Sequence, residues 1–189
     1  MKDLPFLGHM TANGNLEQIR LQSPIQAISR STTAVWFSEA DHLHYGFIDA
    51  AGKLHEFTWV DPGVLSVRGA GSAAWLEELF LNRRVIVRNV DSAGSNGGGA
   101  YAVDVKAFLV APDGTAWVQS SAWPTILRVT EAGGVTRYRL PCIDQHLMLL
   151  HGPNNGLWFL SKEPHCSGYI DAAAIHVRDL PAVEYVDYK

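Results

Sequence analysis

Four tryptophans, Trp36, Trp75, Trp117 and Trp158, recur at intervals of 39, 42 and 41 residues. A period near 40 residues restricts a chain to architectures made of stacked copies of one supersecondary unit, since a single copy cannot bury its apolar face alone. Each Trp follows a small or apolar pair: Ala34-Val35, Ala73-Ala74, Thr115-Ala116 and Gly156-Leu157. A second marker keeps step with the first. Phe47-Ile48-Asp49-Ala50-Ala51-Gly52 matches Asn89-Val90-Asp91-Ser92-Ala93-Gly94 and Arg128-Val129-Thr130-Glu131-Ala132-Gly133. Tyr169 to Ala174 is a fourth copy, with Ala in place of the turn Gly, and His9 to Gly14 a fifth. The distance from Trp to turn is 16 residues in three repeats and 19 in the second, which therefore carries an insertion.

Each unit divides into four short strands. In the first these are Ile25 to Ser29, Ala34 to Phe37, Tyr45 to Ile48 and Leu54 to Val60; across the units such strands are separated by Gly, Asn, Asp and Pro. Short strands between turn residues are the pattern of antiparallel hairpins. No stretch keeps a 3.6-residue period, and Ala73 to Asn82, the nearest to one, reads as a strand and a loop. Four strands in about 40 residues make one propeller blade. The expected fold is an all-β propeller of four-stranded antiparallel blades over about 24–61, 62–103, 104–141 and 142–180. Residues 6–22 and 183–188 are expected to supply an incomplete closing blade, within one domain spanning 1–189. An unfinished blade leaves a bare sheet edge, so either a chain-end closure that hides it or a homodimer that covers it is expected.

Composition narrows the function classes. Fifteen Lys and Arg against nineteen Asp and Glu give a net charge of −4, leaving no basic surplus to neutralise phosphates; no nucleic-acid partner is expected. The longest apolar run is five residues, Ala107 to Ala111, so neither a membrane span nor a secretory leader is expected. The two cysteines, Cys142 and Cys166, are too few for a disulfide scaffold and fit free thiols, which points to the cytoplasm.

Val35-Trp36-Phe37-Ser38-Glu39, Ala111-Pro112-Asp113-Gly114-Thr115-Ala116-Trp117 and Gly152-Pro153-Asn154-Asn155-Gly156-Leu157-Trp158-Phe159 resemble the repeat of the virginiamycin B lyase (streptogramin B lyase) propellers. Leu140-Pro141 and Leu180-Pro181 match its strand ends. The resemblance covers nearly the whole chain and rests on turn and core residues, which specify the blade and not the reaction. It implies opening of a streptogramin macrocyclic ester by elimination, with a histidine at the start of an inner strand, carboxylates nearby and a magnesium ion. That histidine stands ten or eleven residues before the blade Trp. The corresponding places here hold Gln26, Val64 or Leu65, Lys106 and Leu147, with His146 one residue away and so turned to the other face. Glu163-Pro164-His165 resembles the local motif but follows its Trp.

In a propeller the loop before the inner strand and the loop after the Trp strand gather on one face. That face receives Glu39, Asp41, His42 and His44 from the first blade, and Glu77, Glu78, Arg83 and Arg84 from the second. The third blade gives Gln119 and Trp123; the fourth gives Asp144, His146, Lys162, Glu163, His165 and Cys166. The opposite face is made of turns such as Ala50-Ala51-Gly52 and Pro112-Asp113-Gly114. Candidate ligand-binding residues are therefore Glu39, His42, His44, Trp123, Asp144, His146 and His165, with His146 nearest the axis.

Residues two apart on a strand share a face, so His42 and His44 could hold one metal ion with Glu39 or Asp41, although such a pair is also ordinary surface. Trp123 lies in a loop, where an exposed ring can stack a sugar or a macrocycle. The four repeat tryptophans read as packing between blades. Gly94 to Gly99 lacks the Lys and the helix of a phosphate loop and reads as a lengthened hairpin loop. No His-Glu-x-x-His, Cys-x-x-Cys or Gly-x-Ser-x-Gly occurs.

Two function classes follow. One is a binding module recognising a small polar ligand or a partner protein on this face. The other is a magnesium-assisted lyase of the kind the resemblance implies.

Overall fold

Val35, Trp36 and Phe37 stand between a Ser-Thr turn and Glu39, too short and too evenly apolar for a helical stripe, so the segment is stable only as a strand buried on both faces. In the computed structural model it is one strand of a repeating four-stranded sheet. The structure describes residues 5–10, 13–59, 63–70, 73–80, 84–94, 96–102, 105–120, 125–140, 147–161, 166–171 and 175–178.

An amino-terminal hairpin, β1 (Phe6–Met10) and β2 (Leu16–Arg20), forms a two-stranded sheet. The first four-stranded sheet follows: β3 (Ile25–Arg30), β4 (Ala34–Glu39), β5 (His44–Asp49) and β6 (Leu54–Thr58). The second holds β7 (Val64–Ala70), β8 (Ala73–Phe80), β9 (Arg84–Val90) and β10 (Asn96–Ala102). The third holds β11 (Val105–Val110), β12 (Ala116–Ser120), β13 (Thr125–Val129) and β14 (Val135–Arg139). The fourth holds β15 (Leu147–His151), β16 (Leu157–Ser161), β17 (Cys166–Ile170) and β18 (Ile175–Arg178). All pairings are antiparallel between consecutive strands, which is the meander of a propeller blade.

The core lies between sheets. Trp36 joins Tyr45 and Phe47 against Val64, Val67, Ala74 and Leu76 of the next sheet. Trp75 packs on Phe108, Val110, Val118 and Leu127, and Trp117 on Leu147, Leu157, Phe159 and Ile170. A buried indole is best served by a hydrogen-bond partner, which Trp75 and Trp117 have and the fully buried Trp36 Nε1–H does not. Trp75 Nε1–H donates to the Gly114 carbonyl at 2.8 Å, and Trp117 Nε1–H to the Asn155 carbonyl at 3.1 Å, both in turns of the following sheet. Trp158 departs from this pattern: it is 38% exposed and rests on Tyr169, because its face of the fourth sheet meets no further sheet among the described residues. Met148, Leu150 and Leu160 are exposed on that same face.

The insertion of the second repeat also differs from expectation. Asn96 to Gly99 is part of β10, not a loop, and a bulge between Asn96 and Ala100 absorbs the extra residues in register. Gly94 closes the turn before it with φ +73°, and a Cβ there would sit 2.4 Å from the Phe57 ring of the first sheet. Its carbonyl also accepts the Tyr45 hydroxyl at 3.1 Å. Gly94→Ala combines left-handed strain with a clash between sheets and is expected to cost about 2–3 kcal/mol. A thermal melt indistinguishable from that of the parent protein would contradict this.

The segment 183–188, assigned from sequence to the closing blade, lies outside the described residues, as do Trp123, Asp144, His146 and His165. Among the described residues no helix is long and apolar enough to cross a membrane.

Candidate functional site

Glu39 ends β4 and His44 begins β5, so the four-residue turn between them decides what the two side chains meet. Asp41 organises that turn. Its Oδ1 accepts the backbone N–H groups of Leu43 at 2.9 Å and His44 at 3.0 Å, the local bonding that suits Asp to a turn. Its Oδ2 accepts Nδ1–H of His44 at 2.6 Å. Burial opposes ionisation of Asp41, but these donors outweigh it and hold the carboxyl below its ordinary range. The Asp41 hydrogen bond in turn raises the His44 pKa above its ordinary value against some loss of hydration, helped by the negative charge of Asp41, Glu39 and Glu56.

His42 takes another direction. It adopts φ 61°, outside β5, and its ring Nδ1–H donates to the Val64 carbonyl at 3.1 Å. Its own carbonyl accepts the N–H groups of Gly63 and Val64. Two imidazoles at His42 and His44 share a face only on a continuous strand; here the strand begins at His44, and the rings bond to Val64 and to Asp41 respectively. His42 fastens the first sheet to the second.

Glu39 is 0% exposed. Its Oε2 accepts the Ser23 N–H of the loop entering β3, while Oε1 meets no N–H or hydroxyl donor. Burial, a hydrogen bond shared with the Glu56 carboxyl and the charge of Glu56 and Asp41 push its pKa up to about 7. Cross-strand register explains the approach of Glu56: Phe37 faces Gly46, and Gly46 faces Glu56. Glu39, His44, Gly46 and Glu56 therefore lie on one face of the sheet, with no side chain between the two carboxyls. Ligand atoms of Glu39, Asp41 and His44 all lie within 4.8 Å of one another.

Of the sequence candidates, the structure brings together Glu39 and His44, with Asp41 between them. Sequence reasoning missed Glu56 and Ser23. The signal for Glu56 was an acidic residue on the inward-facing register of an outer strand, opposite a glycine. The donor set of carboxylates with an imidazole is a poor match for magnesium, which takes oxygen ligands and keeps its waters.

No protein-family model and no curated sequence matches this chain. Among solved structures it is similar to a streptogramin B lyase, at 20% identity and TM-score 0.63, over 94% of this chain and 63% of that one. It is equally similar in fold to a catalytically inactive virginiamycin B lyase from Staphylococcus aureus with quinupristin: 18% identity, TM-score 0.63, 94% of this chain and 64% of that one. BamB from Moraxella catarrhalis aligns at 11% identity and TM-score 0.59 over 86% of this chain and 54% of that one. The chain thus spans a little under two thirds of the length of the lyase chains. At these identities the likeness is one of fold: a β-propeller like that of the virginiamycin B lyases.

Proposed function

We propose that this propeller is a binding module and that its ligand is a small polar molecule, or a partner's side chain, presenting a positive charge to the carboxyls of Glu39 and Asp41. The observation that carries the reading is the fully buried Glu39 carboxyl, whose Oε1 meets no N–H or hydroxyl donor and is left to the Glu56 carboxyl, since a buried acceptor without a donor costs about 1–3 kcal/mol. Calorimetric titration with arginine methyl ester and with agmatine tests it. Saturable binding that weakens about tenfold in Glu39→Gln is expected. No heat with either probe, or equal binding by the variant, overturns it.

A second reading, elimination on a macrocyclic ester, is supported by the 2.6 Å Asp41–His44 contact. Asp41 holds Nδ1–H, leaving Nε2 free to take a proton alpha to a carbonyl. Breaking the adjacent C–O bond then opens the ring to an alkene and a carboxylate. Incubation with quinupristin, with and without magnesium, followed by chromatography decides it: linearised product supports this reading, and intact macrocycle rules it out.

The oligomer reading is also a proposal. Phe6, Met10 and Leu16 expose an apolar face on the two-stranded sheet, and such faces recruit partners. Light scattering is expected to show a species heavier than one 20.7 kDa chain; a monodisperse monomer would contradict it.

A further inference from the structure

Two neighbouring sheets solve the same electrostatic problem in opposite ways. Glu39 and Glu78 each stand three residues after their repeat Trp, in the last part of the second strand, and both are buried. In the second sheet the residue facing Leu76 is Arg88, whose Nε–H donates to Glu78 Oε1 at 2.9 Å. In the first sheet the residue at that register, facing Phe37, is Gly46. A Cβ at Gly46 would lie 2.3 Å from the His55 carbonyl oxygen, so the strands here pack too closely for any longer side chain. On the next strand the second sheet places Ala100 beside its Arg, whereas the first places Glu56 beside its Gly. The first sheet thus lacks the guanidinium and adds a carboxyl.

The result is a cluster of acidic groups that His44 alone balances among the described residues around it. Oε1 of Glu39 and Oε1 of Glu56 are both buried and meet no N–H or hydroxyl donor, so the two carboxyls are left to each other. Buried carboxylates in this state are costly unless a cation joins them.

We infer that this cluster binds one divalent transition-metal ion, with Glu39, Asp41 and His44 as ligands and Glu56 as a further oxygen donor, in the place that a guanidinium fills in the neighbouring sheet. The inference rests on the reading of this cluster as the ligand site and narrows its ligand to a metal cation. An imidazole among carboxylates suits zinc, and the carboxylate-rich set also suits the harder manganese. Ligands around such an ion stand about 3–4 Å apart, so donor atoms already within 4.8 Å need to close by only about 1 Å. The donors lie on the second and third strands, the turn between them and the outer strand. Gln26, at the inner-strand place where the resemblance implies a histidine, is not among them.

The test is calorimetric titration of the metal-stripped full chain with zinc and with manganese. One ion per chain is expected, with a rise in melting temperature. Glu39→Gln and His44→Ala should each weaken binding about tenfold or more, while Glu78→Gln and His9→Ala leave it unchanged. No uptake of either metal overturns the inference, as does uptake that Glu39→Gln and His44→Ala leave intact, which would mark an adventitious surface histidine. If metal fails but arginine methyl ester binds through Glu39, the metal inference falls and the ligand site stands. If both probes fail, both fall.

Discussion

Trp75→Ala is expected to lower the free energy of unfolding by about 4 kcal/mol. The indole is 1% exposed and fills the space between the second and third sheets, against Phe108, Val110, Val118 and Leu127. Its removal leaves a cavity that strands cannot close without breaking their ladders. It also strips the Gly114 carbonyl of its buried N–H donor, at about 1 kcal/mol more. Against a total stability of about 5–15 kcal/mol, that is enough to unfold a large share of the molecules in mild urea. Trp158→Ala is the internal control: the same residue at the same repeat position, half-exposed, should cost about 1 kcal/mol or less. Urea midpoints that shift equally in the two variants would show that burial between sheets is not what the repeat Trp supplies.

Stability in the presence of a chelator is expected to fall as pH rises from about 5 to 8, and Glu39 is the main cause. Its pKa is about 7 in the folded chain against 4.5 for an ordinary glutamate, so the folded state holds a proton that the unfolded state has released. A group raised in this way contributes stability fully below the unfolded value and loses it as pH climbs through the folded one. The difference corresponds to a loss on the order of 3 kcal/mol across that window. His44, also raised, acts in the same direction as the pH passes its folded value. Asp41, held low, acts in the opposite sense, and its contribution disappears only on acidification. Glu39→Gln keeps a neutral side chain at every pH and should remove most of the slope, making the variant the more stable form at pH 8. Chemical denaturation at several pH values checks this. Parallel slopes in the parent and Glu39→Gln would place the titrating group elsewhere.

Much of the fold could be read from the chain because its two markers do one physical job each. The Trp fills the gap between sheets, and the Asp-x-x-Gly turn sets hairpin length, with Asp49 Oδ1 accepting Ala51 and Lys53 N–H groups at 2.9 Å. Repetition then multiplies a weak local signal. The site was less legible for the opposite reason. Glu39, Asp41 and His44 share a short segment and could be grouped by spacing, but the orientation of His42 depends on a single positive φ and on a carbonyl 22 residues away. Glu56 could be joined to Glu39 only by knowing the pairing register across Gly46. The absence of a balancing cation shows only when Gly46 is set against Arg88, which needs the two sheets superposed strand by strand. Sequence gives residue types at a distance; charge balance is decided by who faces whom.

The contacts that hold the four-stranded sheets together run from β3 and β4 to β7, from β7 and β9 to β11, and from β11 to β15. The amino-terminal hairpin meets the first sheet across a cleft of about 340 Å³ lined by Leu7, His9, Ile28 and Ile48. Among the described residues this is a line of neighbours, each sheet stabilised by the next and by little beyond it. Thermodynamically such a line behaves as a one-dimensional chain of coupled units. Opening of a terminal unit breaks one interface, whereas opening of the second or third sheet breaks two. Amide exchange is therefore graded along the sequence, slowest around β8 and β12 and fastest in the hairpin and the fourth sheet. A perturbation at one end also fades over one or two sheets. Along the contacts among the described residues, three interfaces between sheets separate the acidic cluster of the first sheet from the fourth.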